Sequence, residues 1–399
     1  MFNKVLILSA SSGAGHVRAG QALEKALLEL SMAKEVKHID TLDYTNKIFR
    51  TFYSRAYIDM VNHMPEVLGW LYDKADRPWQ AEKRRLAFDK LNTRPFIKML
   101  QKYQPDISVC THFLPCEIIS WLKAKEHLNS PQAIVVTDFD VHAMWLCHYF
   151  EHYFVALDET KIHLSKLGIP ESRITRTGIP IDPAFTRLPS KQEARKMFGL
   201  DPNKTTILLS TGGFGVGPIN NLLLSLLELK HPAQIIVICG RNDKLKARLT
   251  QTARTLPPDH HLSLMIVGYT SEIHFYMAAS DILVGKPGGL TTSEALAAGL
   301  VMVVVNPIPG QEERNSDHLL EEGAAIRCNN LPVLAFKIDQ LLDDSVRFRQ
   351  MQEKVQLLAR PNAAYDVVNK LLTLDVVPAP KREPRFAKLR RFTRKLQPG

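Results

Sequence analysis

Val5-Leu6-Ile7-Leu8-Ser9-Ala10-Ser11-Ser12-Gly13-Ala14-Gly15-His16 opens the chain with a buried-strand run, a glycine-rich turn and a helix start. Four consecutive apolar residues suit a strand covered on both faces. Residues 19–30 then carry apolar side chains at helical period. This β-turn-α unit repeats outward along the chain. Strands are expected at 36–39, 107–110, 133–137 and 152–156. Helices are expected at 46–61, 81–102 (with a break near Pro95), 116–126 and 159–167. Residues 178–183, with Pro180 and Pro183, interrupt the pattern, and a polar stretch containing Pro189 and Pro202 reads as a linker. The alternation restarts with strands at 206–209, 234–238, 263–267, 282–284 and 302–305. Helices are expected at 220–229, 244–255, 271–279 and 291–298, and a last one at 363–374. Such alternation dictates parallel sheets with helices on both faces. The expectation is an α/β protein of two doubly wound, Rossmann-like domains, with ligands in the cleft between them.

Composition narrows the function classes. The 399 residues are 45% apolar and 23% charged, which excludes a largely disordered chain. No apolar run approaches the roughly 20 residues that span a bilayer. The first ten residues read as a strand rather than a leader. Five cysteines without a CxxC pair point to reduced thiols, not zinc or disulfides. The net charge of +10 is local: residues 381–399 carry +7, and the other 380 residues carry +3. That tail follows Pro378-Ala379-Pro380 and places Phe386, Leu389, Phe392 and Leu396 at helical spacing among Arg390, Arg391 and other cations. A basic amphipathic helix of this kind suits an anionic membrane; a solvated basic tail is the plainer alternative. Nucleic acid is not expected, because no binding module accompanies the tail. Residues 73–102 carry a further +5, preceded by an apolar stretch with Trp70 and followed within it by Trp79. They read either as a core helix pair with a basic face or as a membrane-dipping segment.

Three glycine-rich turns follow strands: 11–16, 212–218 (Gly212, Gly213, Gly215) and 286–294 (Gly288, Gly289, Thr291). Such turns bring backbone N–H groups and a helix N-terminus to phosphate. None is a dinucleotide fingerprint, since Arg18 stands where the third glycine belongs, and none is a Walker loop, since Pro287 follows Lys286. His16 starts a helix, which disfavours imidazolium and leaves a neutral ring able to accept a proton. Asp138 and Asp140 end a buried strand, where either can orient an acceptor hydroxyl or assist His16, or Asp140 can cap a helix. Gln311 and Glu312 follow a Pro-Gly turn and can hold sugar hydroxyls or simply begin a helix. Glu294 can hold ribose or complement a helix dipole. One Asp and one His at 138–142 make only half a metal site, so no metal is expected.

Taken as blocks, 12–16, 136–145, 177–181, 286–296 and 307–313 resemble the signatures of bacterial diacylglycerol glycosyltransferases. These are the monogalactosyldiacylglycerol synthases and processive diacylglycerol glucosyltransferases, related to the lipid II GlcNAc transferase. The resemblance covers roughly 3–375 and excludes the tail. It implies a GT-B fold, with an acceptor and membrane domain at 1–185 and a UDP-sugar domain at 186–360. A helix at 361–377 would cross back to the first domain, followed by a basic tail at 378–399. It implies a UDP-hexose donor, glucose favoured over galactose, transferred with inversion to the 3-hydroxyl of 1,2-diacylglycerol, without metal or other cofactor. His16, with Asp138, would be catalytic, His16 as the base for the diacylglycerol hydroxyl or as a residue that holds the acceptor. The Gly212–Gly217 turn would cradle diphosphate, with Gly15, Gly288, Gly289 and Thr291 also on the donor. Arg241 and Asn242 would lie beside uridine, Glu294 on ribose, and Gln311 and Glu312 on the hexose. Trp70, Trp79, His142 and Trp145 would meet acceptor or membrane, together with Phe386, Arg390, Arg391 and Phe392. The enzyme would sit peripherally on the cytoplasmic face of the cell membrane. Phe214 departs from the acidic or polar residue that relatives often carry in the second turn. A GlcNAc transferase on a polyprenyl-linked acceptor and a non-catalytic UDP-sugar sensor are the alternatives.

Overall fold

The computed structural model describes residues 1–11, 13–46, 50, 60, 64–79, 93–210, 219–257 and 259–374. All but residues 46, 50 and 60 of the expected helix at 46–61, the start of that at 81–102, the glycines of the second turn and the whole basic tail lie outside the described residues.

Two parallel sheets of six strands form the body. The first runs β2 (Ala33–Asp40), β1 (Phe2–Ser9), β3 (Ile107–Cys110), β4 (Gln132–Val135), β5 (His152–Val155) and β6 (Ile174–Arg176). The second runs β12 (Ala325–Cys328), β11 (Val301–Val305), β10 (Ile282–Gly285), β7 (Thr205–Ser210), β8 (Ala233–Ile238) and β9 (Leu262–Val267). β6 and β12 escape a search for apolar runs. Each is a short edge strand carrying an arginine, so only part of it needs apolar cover. The expected linker instead holds a helix, Lys191–Met197, opened by a Ser190–Glu193 capping box. Its Arg195 is buried because Asp281 and the carbonyls of Ala279 and Pro202 accept its N–H groups. Pro95 does not break its helix but starts it, as the first turn tolerates a missing N–H.

The first sheet is covered on one face by Phe113–Ala124 and Arg94–Tyr103, and on the other by Ala14–Glu29 and Ala363–Leu372. That last helix follows the second sheet in sequence but buries Ala364, Val367, Val368 and Leu371 with Val5, Ile7, Leu23 and Leu27. The domains also share apolar contact: Ala19, Phe139, Ile179 and Ile181 pack with Leu290 and Ala295. Among the described residues no helix is long and apolar enough to cross a membrane.

Each sheet has one place where successive connections leave in opposite directions: between β1 and β3, and between β7 and β10. At such points the loops splay apart and leave a crevice beyond the strands' carboxyl ends. These two crevices face each other.

Candidate active site

In the first crevice, the loop after β1 becomes the helix Ala14–Glu29, with His16 on its first turn. His16 Nδ1 lies 3.0 Å from the Thr111 carbonyl and 2.8 Å from Thr137 Oγ1. A carbonyl only accepts, so Nδ1 carries the proton and Nε2 is left with its lone pair. Desolvation lowers the His16 pKa to about 4, against the raising effect of the Thr111 bond, so the ring is neutral at pH 7. Thr111 also grips the backbone: its hydroxyl donates to the His16 carbonyl at 2.8 Å, and Ser9 Oγ donates there at 3.2 Å. His112 presents its ring edge to His16 at 4.6 Å, and Trp145 stands at 6.4 Å. Burial holds the His112 pKa well below its usual value.

Asp138 does not assist His16. Thr137 meets the imidazole while Asp138 turns to the second domain. There it accepts from Gln311 Nε2 at 2.6 Å and more weakly from Asn315 Nδ2 at 3.4 Å. Burial raises its pKa to about 6, against those two bonds.

In the second crevice, the turn after β10 leads into the helix Gly289–Ala297, whose N-terminus abuts the first domain. A Cβ on Gly289 would collide with the Thr137 carbonyl, so only glycine permits this approach. Gly15 meets Leu290 from the opposite helix. The N-termini of Ala14–Glu29 and Gly289–Ala297 thus converge on one cleft, bringing positive helix ends together. Glu294 is buried, with Oε1 ion-paired to Arg18 of the first domain and Oε2 without a hydrogen-bond partner. Its pKa is raised by burial and partly restored by Arg18. Both residues line a cavity of ≈ 380 Å³ with Gln21, Lys25 and Asp182. Glu312 folds back so that its Oε2 accepts the Ile308 N–H at 2.8 Å, close to Gly288. Thr291 is partly buried on the same helix as Glu294.

Arg241 and Asn242 are exposed beyond β8. The Arg241 guanidinium lies 4.9 Å from the Tyr269 ring, and Asn242 caps its own helix through Leu245 N–H. Of the four described acceptor or membrane candidates, only Trp70 offers an open ring, 58% exposed with Lys74 Nζ 4.4 Å from its centre. Trp79 stacks on His148 at 4.7 Å against the first core. Trp145 is buried near His16, and His142 is buried with Nε2 2.9 Å from the Tyr72 carbonyl. A membrane contact needs an exposed surface, which leaves Trp70 for that role, while Trp79 is half-buried and His142 and Trp145 are buried in the first domain.

The helix Pro65–Ala75 that carries Trp70 reaches the second domain. A Cβ on Gly69 would lie 2.7 Å from Pro309 Cβ, and one on Gly310 (φ +86°) 2.6 Å from Tyr72 Cδ1. Arg314 bonds Asp140 at 2.9 Å and Asp76 at 2.8 Å, 5.3 Å from the Tyr72 ring centre. Thr111, His112, Arg314 and Asn315 carry no motif in the sequence, and Arg18 stands out there only as the residue that breaks the dinucleotide fingerprint. Thr111 and His112 follow a buried strand, and the rule that ligands lie at strand ends would have found them. The roles of Arg18 and Arg314 depend on a partner in the other domain, which the local pattern does not encode.

Residues 16–181 match the family described as monogalactosyldiacylglycerol (MGDG) synthase, and residues 190–357 match glycosyl transferases group 1. The chain is 30% identical over 377 residues to the processive diacylglycerol beta-glucosyltransferase of Staphylococcus carnosus (strain TM300), covering 93% of each. Among solved structures, MurG of Acinetobacter baumannii superposes with a TM-score of 0.62 at 16% identity, covering 93% of this chain and 100% of that one. The UDP-GlcNAc 2-epimerase of Neisseria meningitidis bound to UDP-GlcNAc superposes with a TM-score of 0.59 at 16% identity, covering 92% and 99%. The fold is thus GT-B, two α/β domains across a cleft.

Proposed function

From the premise that the chain belongs to the diacylglycerol glycosyltransferase family, we propose that it moves glucose, with galactose as the second choice, from UDP-hexose to the 3-hydroxyl of 1,2-diacylglycerol with inversion. The observation that carries the reading is the His16 imidazole, neutral and with its Nδ1 proton committed to Thr111 and Thr137. Its Nε2 takes the proton of the lipid hydroxyl. The hydroxyl oxygen bonds to the anomeric carbon from the face opposite the leaving group, and the C–O bond to UDP breaks with its electron pair on the diphosphate. The proton on His16 passes to water as UDP departs.

The leaving diphosphate gains charge in the transition state, so prearranged dipoles are worth more than ones that must reorient. The two converging helix N-termini supply that field, which supports a reaction without metal. Glu294 Oε2 supports ribose binding, since an unpartnered buried carboxylate oxygen is suited to accept from hydroxyls. Gln311 and Glu312 belong to the hexose in this reading, and the 211–218 turn to the diphosphate. Val67, Trp70 and Leu71, all exposed on Pro65–Ala75 next to Lys74, support docking to an anionic membrane. The basic tail would reinforce it at the cytoplasmic face.

The test is a donor panel. UDP-[14C]glucose, UDP-galactose and UDP-GlcNAc are each offered with diacylglycerol vesicles in EDTA. The expected outcome is glucolipid, with the product anomeric proton showing a β linkage from the α-linked donor. No lipid product from either UDP-glucose or UDP-galactose would sink the proposal, and an α-linked product would sink inversion.

A further inference from the structure

A histidine base works only when the correct nitrogen holds the proton, and a neighbouring carboxylate often sets this. Here the carboxylate next in the chain, Asp138, is bonded to Gln311 and Asn315 instead. Two threonines from adjacent strand ends stand in its place. Thr111 follows β3 and holds His16 twice, by its carbonyl on Nδ1 and by its hydroxyl on the His16 carbonyl. Thr137 follows β4 and adds its hydroxyl oxygen at 2.8 Å from Nδ1.

We propose that Thr137, working with the Thr111 carbonyl, is the positioning residue of the base. The carbonyl sets the tautomer with Nε2 open, and the Thr137 hydroxyl, accepting beside it, orients the ring and steadies the imidazolium that forms when the acceptor gives up its proton. This rests on the reading of His16 as the base. The hydrogen bond from Nδ1 becomes charge-assisted once the ring is protonated, and such bonds are roughly twice as strong as neutral ones. The stabilisation therefore grows toward the transition state, which is the condition for raising turnover rather than binding. The groups facing the ring, His112 and Trp145, carry no charge at pH 7, so no ion pair masks the contribution. Thr137 has a second connection. Its carbonyl lies against Gly289 at the N-terminus of the second-domain helix. One residue thus touches the base with its side chain and the donor domain with its backbone.

Thr137→Val keeps the side-chain volume and removes the hydroxyl; Thr137→Ser keeps the hydroxyl and removes a methyl. Turnover with UDP-glucose and diacylglycerol vesicles is measured across pH for both, beside His16→Ala. Thr137→Val is expected to lower kcat about tenfold, from the loss of one hydrogen bond to a charged group. Donor KM should stay within about twofold, since neutral ground-state binding gains little from the bond. The acid limb of its pH profile should move to lower pH, because a less stabilised imidazolium loses its proton more readily. Thr137→Ser should restore kcat and the acid limb. Long-range 1H–15N spectra of the free enzyme should report the Nδ1–H tautomer in the wild type and in Thr137→Val alike, since the Thr111 carbonyl remains. If His16→Ala is inactive while Thr137→Val keeps kcat and the acid limb, the inference fails and the base reading stands. Failure of Thr137→Ser to rescue would reassign Thr137 to packing and overturn it also. Wild-type turnover by His16→Ala would bring down the base reading and the inference with it.

Discussion

At the ends of β3 and β4, His16 is held from several sides: two acceptors for Nδ1 and two hydroxyl donors to its carbonyl. At the end of β10, Glu294 is more deeply buried, yet one of its carboxylate oxygens accepts nothing. The two crevices arise from the same topological feature, a reversal in strand order, but they are furnished in opposite ways. The contrast follows from what each side must do. A base needs its orientation fixed before the substrate arrives, so its bonds are made within the protein. A binding group needs capacity for the ligand's hydroxyls, and a fully satisfied carboxylate would gain little from them.

The strongest way to break this contrast is at the prearranged side. His16→Ala should lower kcat by about 10²–10⁴-fold, the usual contribution of a positioned general base. Steady-state turnover with UDP-glucose and diacylglycerol checks it, and donor KM should change little. A variant that lost donor affinity instead would show that His16 belongs to binding, and the contrast would collapse.

On the open side the expected effect is smaller and falls on a different constant. Glu294→Gln keeps the shape and one acceptor oxygen but loses the charge. Donor KM should rise about 10- to 100-fold, for one or two hydrogen bonds to a charged acceptor, with kcat nearly kept. Arg18 loses its ion-pair partner, but it is about a third exposed, so the cost to folding is small. Titration with UDP alone separates the cases: tighter or unchanged UDP binding by Glu294→Gln would reject a ribose role.

The two crevices also differ in how much of them could be read from sequence. The β-turn-α pattern at 5–16 and 282–294 exposed the sheets, the glycine turns, His16 and Glu294, because buried strands are continuous apolar runs and turns need glycine. What held those residues was not legible. Thr137 looks like any strand-end threonine until the register of β4 beside β3 brings it to His16. Asp138 looked like a partner for His16 because sequence adjacency does not reveal that neighbouring side chains diverge. That Trp145 and Trp79 pack against the first core while Trp70 faces solvent was not legible either, because an aromatic residue has the same letter in both settings. The edge strands β6 and β12 were missed for a related reason: their arginines are paid for by position, not by pattern.

The smallest expected effect tests the seam between the crevices, where Asp138 meets Gln311. Its native pKa of about 6 stands above the usual carboxylate value, so the folded state holds this proton more tightly than the unfolded chain. Stability from that source is complete below about pH 4 and is lost as pH rises through 6. His16 acts in the opposite sense. Its native pKa of about 4 is below the usual 6.5, so its contribution is present above 6.5 and is lost as pH falls toward 4. The two slopes oppose each other across pH 4–6. Asp138→Asn removes one of them while an amide oxygen remains to accept from Gln311. The His16 term is common to both proteins and cancels in the difference. Asp138→Asn should therefore match the wild type in stability near pH 4 and exceed it above pH 6 by an amount on the order of 1–3 kcal/mol, read as a higher Tm. Thermal unfolding at pH 4 and at pH 8 reads this directly. A Tm difference that is flat with pH, or that favours the wild type at pH 8, would mean that Asp138 is ionised and welcome at the seam. The closed contact between the two crevices would then be an ionic attachment to Gln311 and Asn315 rather than the burial of a neutral acid.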